Sequence, residues 1–217
     1  MEMKLIYTGV LFVRTYCFKL DDATMAVVDP GGADDELLEY IAASGVKKLS
    51  IMLTHGHFDH VGGVADLLEK YPDSRIYIHE ADRLYLGDTG IAEHLKCFAP
   101  IHMERYIKEY ETTHKNFPQP TDIIHDGDIV NGFTVIHTPG HTPGSVCFYS
   151  EAEKTLFAGD TLFRHTHGRT DLYGSSEKDI TQSLKKLLHL PADTAVYPGH
   201  GSSTTIAEEQ KAQAEFF

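Results

Sequence analysis

No stretch of the 217-residue sequence approaches the ~18 consecutive apolar residues that a membrane-spanning helix needs. Cysteine is scarce. The three present (Cys17, Cys97 and Cys147) are an odd number with no C-x-x-C spacing, which argues against a disulfide framework. The N-terminal MEMKLIYTG carries an acid at Glu2 and runs straight into a strand-like pattern, unlike a signal peptide. A reducing, cytoplasmic compartment is the expectation. Cationic residues are also in deficit, with 19 Lys and Arg against 32 Asp and Glu, a formal charge of −13. Such a surface repels phosphate backbones, and no segment carries a basic stripe to offset it. Neither a nucleic-acid nor a membrane partner is expected. Low-complexity stretches and short-period repeats are absent too, so one domain spanning residues 1–217 is expected.

Histidine, by contrast, is abundant, with 14 residues. It is the usual side chain for holding transition metals at neutral pH. The remaining pattern is a β/α rhythm. KLIYTG (4–9), VRTYCFKL (13–20) and ATMAVVDP (23–30) read as strands, rich in β-branched and aromatic residues. ADDELLEYIAAS reads as a helix with Leu37, Leu38 and Ile41 on one face and Gly45 as its stop. LSIML (49–53), RIYIH (75–79), FTVIHTPG, SVCFYS, KTLFAGD and AVYPGH supply further strands. Helices are expected at 64–70, at 176–190 behind Ser176-x-x-Asp179, and after Thr205-x-x-Glu208. Residues 87–124 interrupt the rhythm, with Met103, Tyr106, Ile107 and Tyr110 at helical spacing, and read as a mainly helical insertion. Strands at both ends with helices between and after them predict sheet packed on sheet with helices outside.

The chemistry concentrates where strands end. His55-Gly56-His57-Phe58-Asp59-His60 follows LSIML directly. In near-extended backbone, residues two apart point the same way, so His55 and His57 can grip one metal. The turn through Gly56 and Phe58 then aims Asp59 and His60 at a second. His141 in HTPGHTPG, Asp160 in FAGD and His200 in YPGHG each lie beside a predicted strand and are flanked by glycine. Glycine suits a loop that must turn sharply or approach a ligand closely. Five imidazoles and two carboxylates at strand ends match two divalent metals, zinc first, with iron or manganese as alternatives.

The motifs LTHGHFDHVGG, HTPGHTPGS, FAGDTLFRHTHGRTDL and YPGHG resemble the metallo-β-lactamase superfamily, most closely its glyoxalase-II-like (hydroxyacylglutathione hydrolase-like) branch in a short, single-domain form. The resemblance covers nearly everything except 87–124. It implies an α/β fold, a four-layer αββα sandwich with the metals at one edge. It implies that His55, His57 and His141 hold one metal, that Asp59, His60 and His200 hold the other, and that Asp160 bridges them. Asp29, in VVDPGG, matches a position expected to buttress the histidine loop, while also closing the turn before Gly31-Gly32.

A small-molecule substrate follows from the resemblance. Two such ions share a water, lower its pKa, and polarise a carbonyl, with Asp59 placed to orient the water as the catalytic carboxylate. A thioester suits this site because its thiolate leaves without a proton; S-lactoylglutathione is the reference substrate. The glutathione-recognising members carry a C-terminal helical domain, and about one helix follows His200 here. Mononuclear iron persulfide dioxygenase and lactonase chemistry use the same scaffold and stay open. Arg164, Arg169 and Lys115 are candidate cations for an anionic substrate, although an Arg169–Asp171 pair or a solvated loop is the first expectation. His165 and His167 read first as loop residues, His137 as a strand end, and Cys17 and Cys147 as buried strand residues. The aromatic insertion serves either as a pocket wall or as ordinary helix packing. Phe216-Phe217 reads equally as an internal dock or a dimer contact, and the number of chains that assemble is left open.

Overall fold

The computed structural model describes residues 1–213. Phe216 and Phe217 lie outside the described residues. In chain order the strands are β1 (Lys4–Thr8), β2 (Val13–Lys19), β3 (Thr24–Val28), β4 (Lys48–Met52), β5 (Arg75–His79), β6 (Asp122–Ile124), β7 (Ile129–Val130), β8 (Phe133–His137), β9 (Val146–Ser150), β10 (Thr155–Gly159), β11 (Ala195–Pro198) and β12 (Thr204–Thr205). The helices are α1 (Asp35–Ser44), α2 (Phe58–Val61), α3 (Val64–Lys70), α4 (Gly90–Phe98), α5 (Glu104–His114), α6 (Glu177–Leu187) and α7 (Ile206–Gln213), with short 3₁₀ turns at Glu80–Tyr85, Gly87–Thr89 and Ala99–Ile101.

Two six-stranded sheets result, ordered β1-β2-β3-β4-β5-β6 and β12-β11-β10-β9-β8-β7. Their layering follows from strand alternation, since successive side chains leave a strand on opposite faces. On β3, Ala26 and Val28 face the other sheet while Met25 and Val27 face helices; on β10, Phe157 faces inward and Leu156 and Ala158 outward. The layer between the sheets is aromatic. Phe18 stacks on Phe157 with ring centres 5.7 Å apart, and Tyr16 tilts against Phe157 at 5.2 Å. One outer layer packs α1, α3, α4 and α5 on the first sheet through Leu37, Ile41, Leu67 and Ile107. The other packs α6 and α7 on the second through Ile180, Leu184, Leu187 and Ile206. This is the expected αββα sandwich.

Helix ends match the sequence signals. Gly45 caps α1 with φ +78°, a conformation that favours glycine, and the Asp179 N–H donates to the Ser176 hydroxyl at the start of α6. The structure refines three readings. His57 is extended, as expected, and the turn expected at Phe58 takes helical form as α2 (Phe58–Val61). The insertion at 87–124 is helical through α4 and α5 but ends in β6, which pairs in parallel with β5. A short further strand, β12, follows AVYPGH and pairs antiparallel with β11. Strands of two or three residues carry too little alternation to stand out in a sequence. No helix among the described residues is long and apolar enough to cross a membrane.

His79 at the end of β5 stacks on His137 at the end of β8, ring centres 4.1 Å apart. Burial, then the neighbouring His137 and His125, push its pKa down to about 4. The fold therefore favours the neutral ring. Stability from this group is complete above the ordinary histidine range of about 6.5, is lost as pH falls below it, and levels off near 4. His79→Phe is expected to flatten the pH dependence of urea unfolding across that window relative to the parent, both without metal. Parallel curves would show that His79 charges freely in the folded chain.

Candidate metal centre

Parallel pairing of β3, β4 and β5, and of β10 and β11, sends their C-terminal ends to one edge of the sandwich. The loops leaving those ends carry Asp29, His55–His60, Asp160 and His200, and His141 joins them after β8. All seven predicted ligand candidates are brought together. His55, His57 and His141 form one group, Asp59, His60 and His200 another, and His55, His60 and Asp160 a third; within each, the donor atoms lie within 4.8 Å of one another. Asp160 sits between the two triads, with Oδ2 at 3.6 Å from His141 Nε2 and Oδ1 at 3.4 Å from His60 Nε2.

His60 and His141 are held from behind. Asp29 accepts from the Thr54 N–H (2.7 Å) and hydroxyl (2.6 Å) and meets His60 Nδ1 at 3.0 Å. It does so at φ +51°, so it both closes its turn and buttresses the histidine loop. His141 Nδ1 meets the Arg169 carbonyl at 2.8 Å. Contacts of this kind orient the ring and leave the other nitrogen for a metal. Arg14 of β2 positions the His200 loop: its N–H donates to the Gly199 carbonyl (2.8 Å) and its guanidinium to the Gly201 carbonyl (2.5 Å) and Ser203 hydroxyl (2.9 Å). Gly199 allows the loop to close on the centre, since a Cβ there would lie 2.4 Å from Asp160 Oδ1 and 2.6 Å from His60 Cε1.

Burial sets the electrostatics. His55 and His57 are held far below the ordinary histidine pKa, by loss of water first and then by the neighbouring imidazoles. Burial works against a charge on His60 as well, but Asp160, Asp59 and Asp29 outweigh it and push its pKa up to about 10. Asp59, despite its burial, is held below the usual carboxylate range by His60 and His200.

The donor set fits divalent metal. His55 Nε2, His57 Nε2, His60 Nε2 and Asp160 Oδ1 are buried without a hydrogen-bond partner, a costly arrangement for a chain alone. His57 Nδ1 and His141 Nε2 face one another at 2.9 Å. One neutral tautomer of His57 bridges that gap with its own N–H, and in the other the two lone pairs converge as they would on a shared cation.

The family model described as the metallo-beta-lactamase superfamily matches residues 8–200. The chain belongs to the metallo-beta-lactamase superfamily. Among its curated relatives is "Probable metallo-hydrolase YqgX" of Bacillus subtilis, 33% identical over 97% of this chain and 95% of the relative. Another is "Hydroxyacylglutathione hydrolase GloC" of Haemophilus influenzae, 31% identical over 88% and 86%. Of solved structures, BLEG-1 B3 metallo-beta-lactamase aligns with a TM-score of 0.79 at 31% identity, covering 97% of each chain. TTHA1623 in a di-iron-bound form aligns with a TM-score of 0.75 at 33% identity, covering 96% of this chain and 98% of that one.

Around this superfamily centre the other predicted residues separate. Arg169 lines the cavity beside it and forks onto Asp171 (2.7 and 2.9 Å). Arg164, 3.5 Å from Glu208, and Lys115, which ends α5, do not line that cavity. Nor do His165, whose N–H donates to Glu209, and His167. His137 is the last residue of β8, and Cys17 and Cys147 are buried in strands. In the insertion, Phe98 and Met103 line the cavity, whereas Tyr110, with Tyr85 just before the insertion, packs around Phe58 and His94 in the core.

Sequence reasoning missed Asp82. This carboxylate is 0% exposed and accepts from the Gly56 N–H (2.9 Å), the Gly144 N–H (2.7 Å) and the Thr142 hydroxyl (2.7 Å). It therefore ties the His55–His57 loop to the His141 loop, although burial alone pushes its pKa up. The only hint in the sequence is its place three residues after a strand, a weak signal. Asp82→Ala strands three buried donors and is expected to weaken metal affinity by roughly 10- to 100-fold. Competition against a chromophoric chelator measures this. Unchanged affinity would mean that the two loops keep their geometry without the clamp.

Proposed function

We propose that the protein is a metal-dependent hydrolase that cleaves a thioester or a related ester. The observation that carries this reading is the convergence of two donor triads, buried except at His200, about Asp160 beside an apolar cavity. His55, His57 and His141 would hold one divalent ion, Asp59, His60 and His200 a second, and Asp160 would serve both; zinc is the first expectation, with iron or manganese as alternatives. When bound, such ions make hydroxide available at neutral pH and polarise a carbonyl.

The chain's own residues supply position and selectivity. Asp59 stays ionised because His60 and His200 stand against it, His200 Nε2 at 3.1 Å, so its carboxylate can accept from an attacking water and fix its orientation. Asp29 and Asp82 hold the loops so that this orientation is set before substrate arrives. Beyond the ligand candidates, the cavity lining offers one polar side chain among the described residues, Arg169, already engaged by Asp171. No lysine or tyrosine lines it to protonate a departing nitrogen. A thiolate leaves without a proton, which favours a thioester over the β-lactam that the name of BLEG-1 evokes. The likeness to GloC points the same way.

Elemental analysis of protein purified without added metal, followed by a thioester panel beginning with S-lactoylglutathione, tests the reading. About two divalent ions per chain and thioester cleavage are expected. Asp160→Ala should lower the metal content and reduce turnover by at least about a hundredfold. One iron per chain, with oxygen uptake on glutathione persulfide and no thioester cleavage, would replace hydrolysis with persulfide dioxygenation. Cleavage of lactones ahead of thioesters would make the enzyme a lactonase.

A further inference from the structure

The cavity over the centre has a volume of about 440 Å³, in the range of small-molecule sites. Apart from the ligand candidates, its lining is Leu11, Phe98, Ile101, Met103, Phe163 and Leu172, with Arg169 the one cation. Phe98 stands edge-on to His57 with ring centres 5.7 Å apart, and Phe163 edge-on to His200 at 6.4 Å. Each triad thus has an apolar ring against it.

Charge is missing from this wall in a specific sense. Both guanidinium donors that Arg169 uses go to Asp171. Of the cations nearby in the chain, Arg164 faces Glu208 at 3.5 Å and Lys96 donates to Glu93 at 2.6 Å. A multiply anionic substrate would find on this wall only Arg169, in competition with Asp171, and would meet a formal charge of −13.

Apolar surface also continues outside the cavity. The turn between β1 and β2 presents Val10, Leu11 and Phe12, and Phe12 is 71% exposed. Phe12 holds φ +53°, outside the region that a bulky residue ordinarily adopts, with its N–H donating to the Gly9 carbonyl. Leu11 belongs both to this turn and to the cavity wall. Exposed apolar groups grouped beside a reactive centre gain by being covered.

We propose that the substrate is an uncharged thioester or ester whose apolar acyl chain lies against Phe98, Ile101, Met103 and Leu172 and runs out under the Leu11–Phe12 turn. This rests on the hydrolase reading and narrows it, placing neutral acyl thioesters ahead of S-lactoylglutathione.

Two measurements separate the claims. The first is calorimetric binding of non-hydrolysable S-alkyl N-acetylcysteamine thioethers, ethyl to hexyl, to the protein as purified. Affinity is expected to rise about fourfold per methylene. In Leu172→Lys the hexyl-to-ethyl ratio should fall at least tenfold, with folding checked by circular dichroism. A flat series, or one that Leu172→Lys leaves unchanged, would overturn the proposal. The second is hydrolysis of acyl N-acetylcysteamine thioesters, acetyl to octanoyl, beside S-lactoylglutathione. The same length dependence in kcat/KM, with lactoylglutathione below the longer neutral acyl groups, is the expected result. Lactoylglutathione cleaved faster than every neutral thioester would overturn the substrate class. Length-dependent thioether binding without cleavage of any thioester or ester would instead overturn the hydrolase reading while leaving the apolar site standing.

Discussion

Seven polar side chains lie at one edge of this sandwich, six of them buried, and the cost of keeping them from water organises that edge. A buried imidazole needs a partner at each nitrogen, and a buried carboxylate needs donors. The fold meets part of this requirement with its own groups. Asp29 serves His60 and Thr54, the Arg169 carbonyl serves His141, and Asp82 collects two backbone N–H groups and a hydroxyl. What remains, three Nε2 atoms and one carboxylate oxygen, points to bound cations. Binding energy at such a centre is also folding energy, so the metal and the loop geometry stabilise each other.

The two sheets contribute unequally to this edge. The first supplies His55, His57, Asp59 and His60 from a single loop, and the second supplies His141, Asp160 and His200 from three. A centre divided between sheets requires that they keep a constant separation and register. The aromatic layer of Tyr16, Phe18, Phe148 and Phe157 does this by packing, and hydrogen bonds across the edge do it by direction. Val146 N–H donates to the Thr54 carbonyl, Arg14 of the first sheet holds the His200 loop, and Tyr16 hydroxyl donates to the Pro198 carbonyl at 2.7 Å. These bonds have one member near each half of the centre.

Most of the fold, and the composition of the centre, were legible before any coordinates. The ligand candidates stand out because a strand pattern ends immediately before each and glycine follows or precedes it, a local signal that a reader of sequence can use. Strands of five residues or more stand out as runs of β-branched and aromatic residues, whereas β7 and β12 have two residues each and do not. A turn at Phe58 was expected, but its helical form was hidden because His57-Phe58-Asp59-His60 has no apolar periodicity; Phe58 packs at long range on Tyr110 and Phe117. Asp82 was invisible for a stronger reason. Its partners come from residues 26 and 62 positions away, and nothing in His79-Glu80-Ala81-Asp82 distinguishes a clamp from a surface acid.

The same division explains why activity is harder to read than fold. The residues proposed to do chemistry sit on loops whose positions the sandwich dictates, and they are compatible with several reactions. The residues proposed to choose among substrates sit on other segments: the β1–β2 turn, the 3₁₀ turn Ala99–Ile101 within the insertion, and the loop after Asp160. Those segments carry no obligation to the sheets beyond their anchoring points, so their side chains can vary in size and charge without disturbing the centre. An apolar wall here, with its one arginine neutralised within the chain, is therefore information about the substrate rather than about the fold. The buried carboxylates set what the centre can do; the wall determines which molecule it does it to.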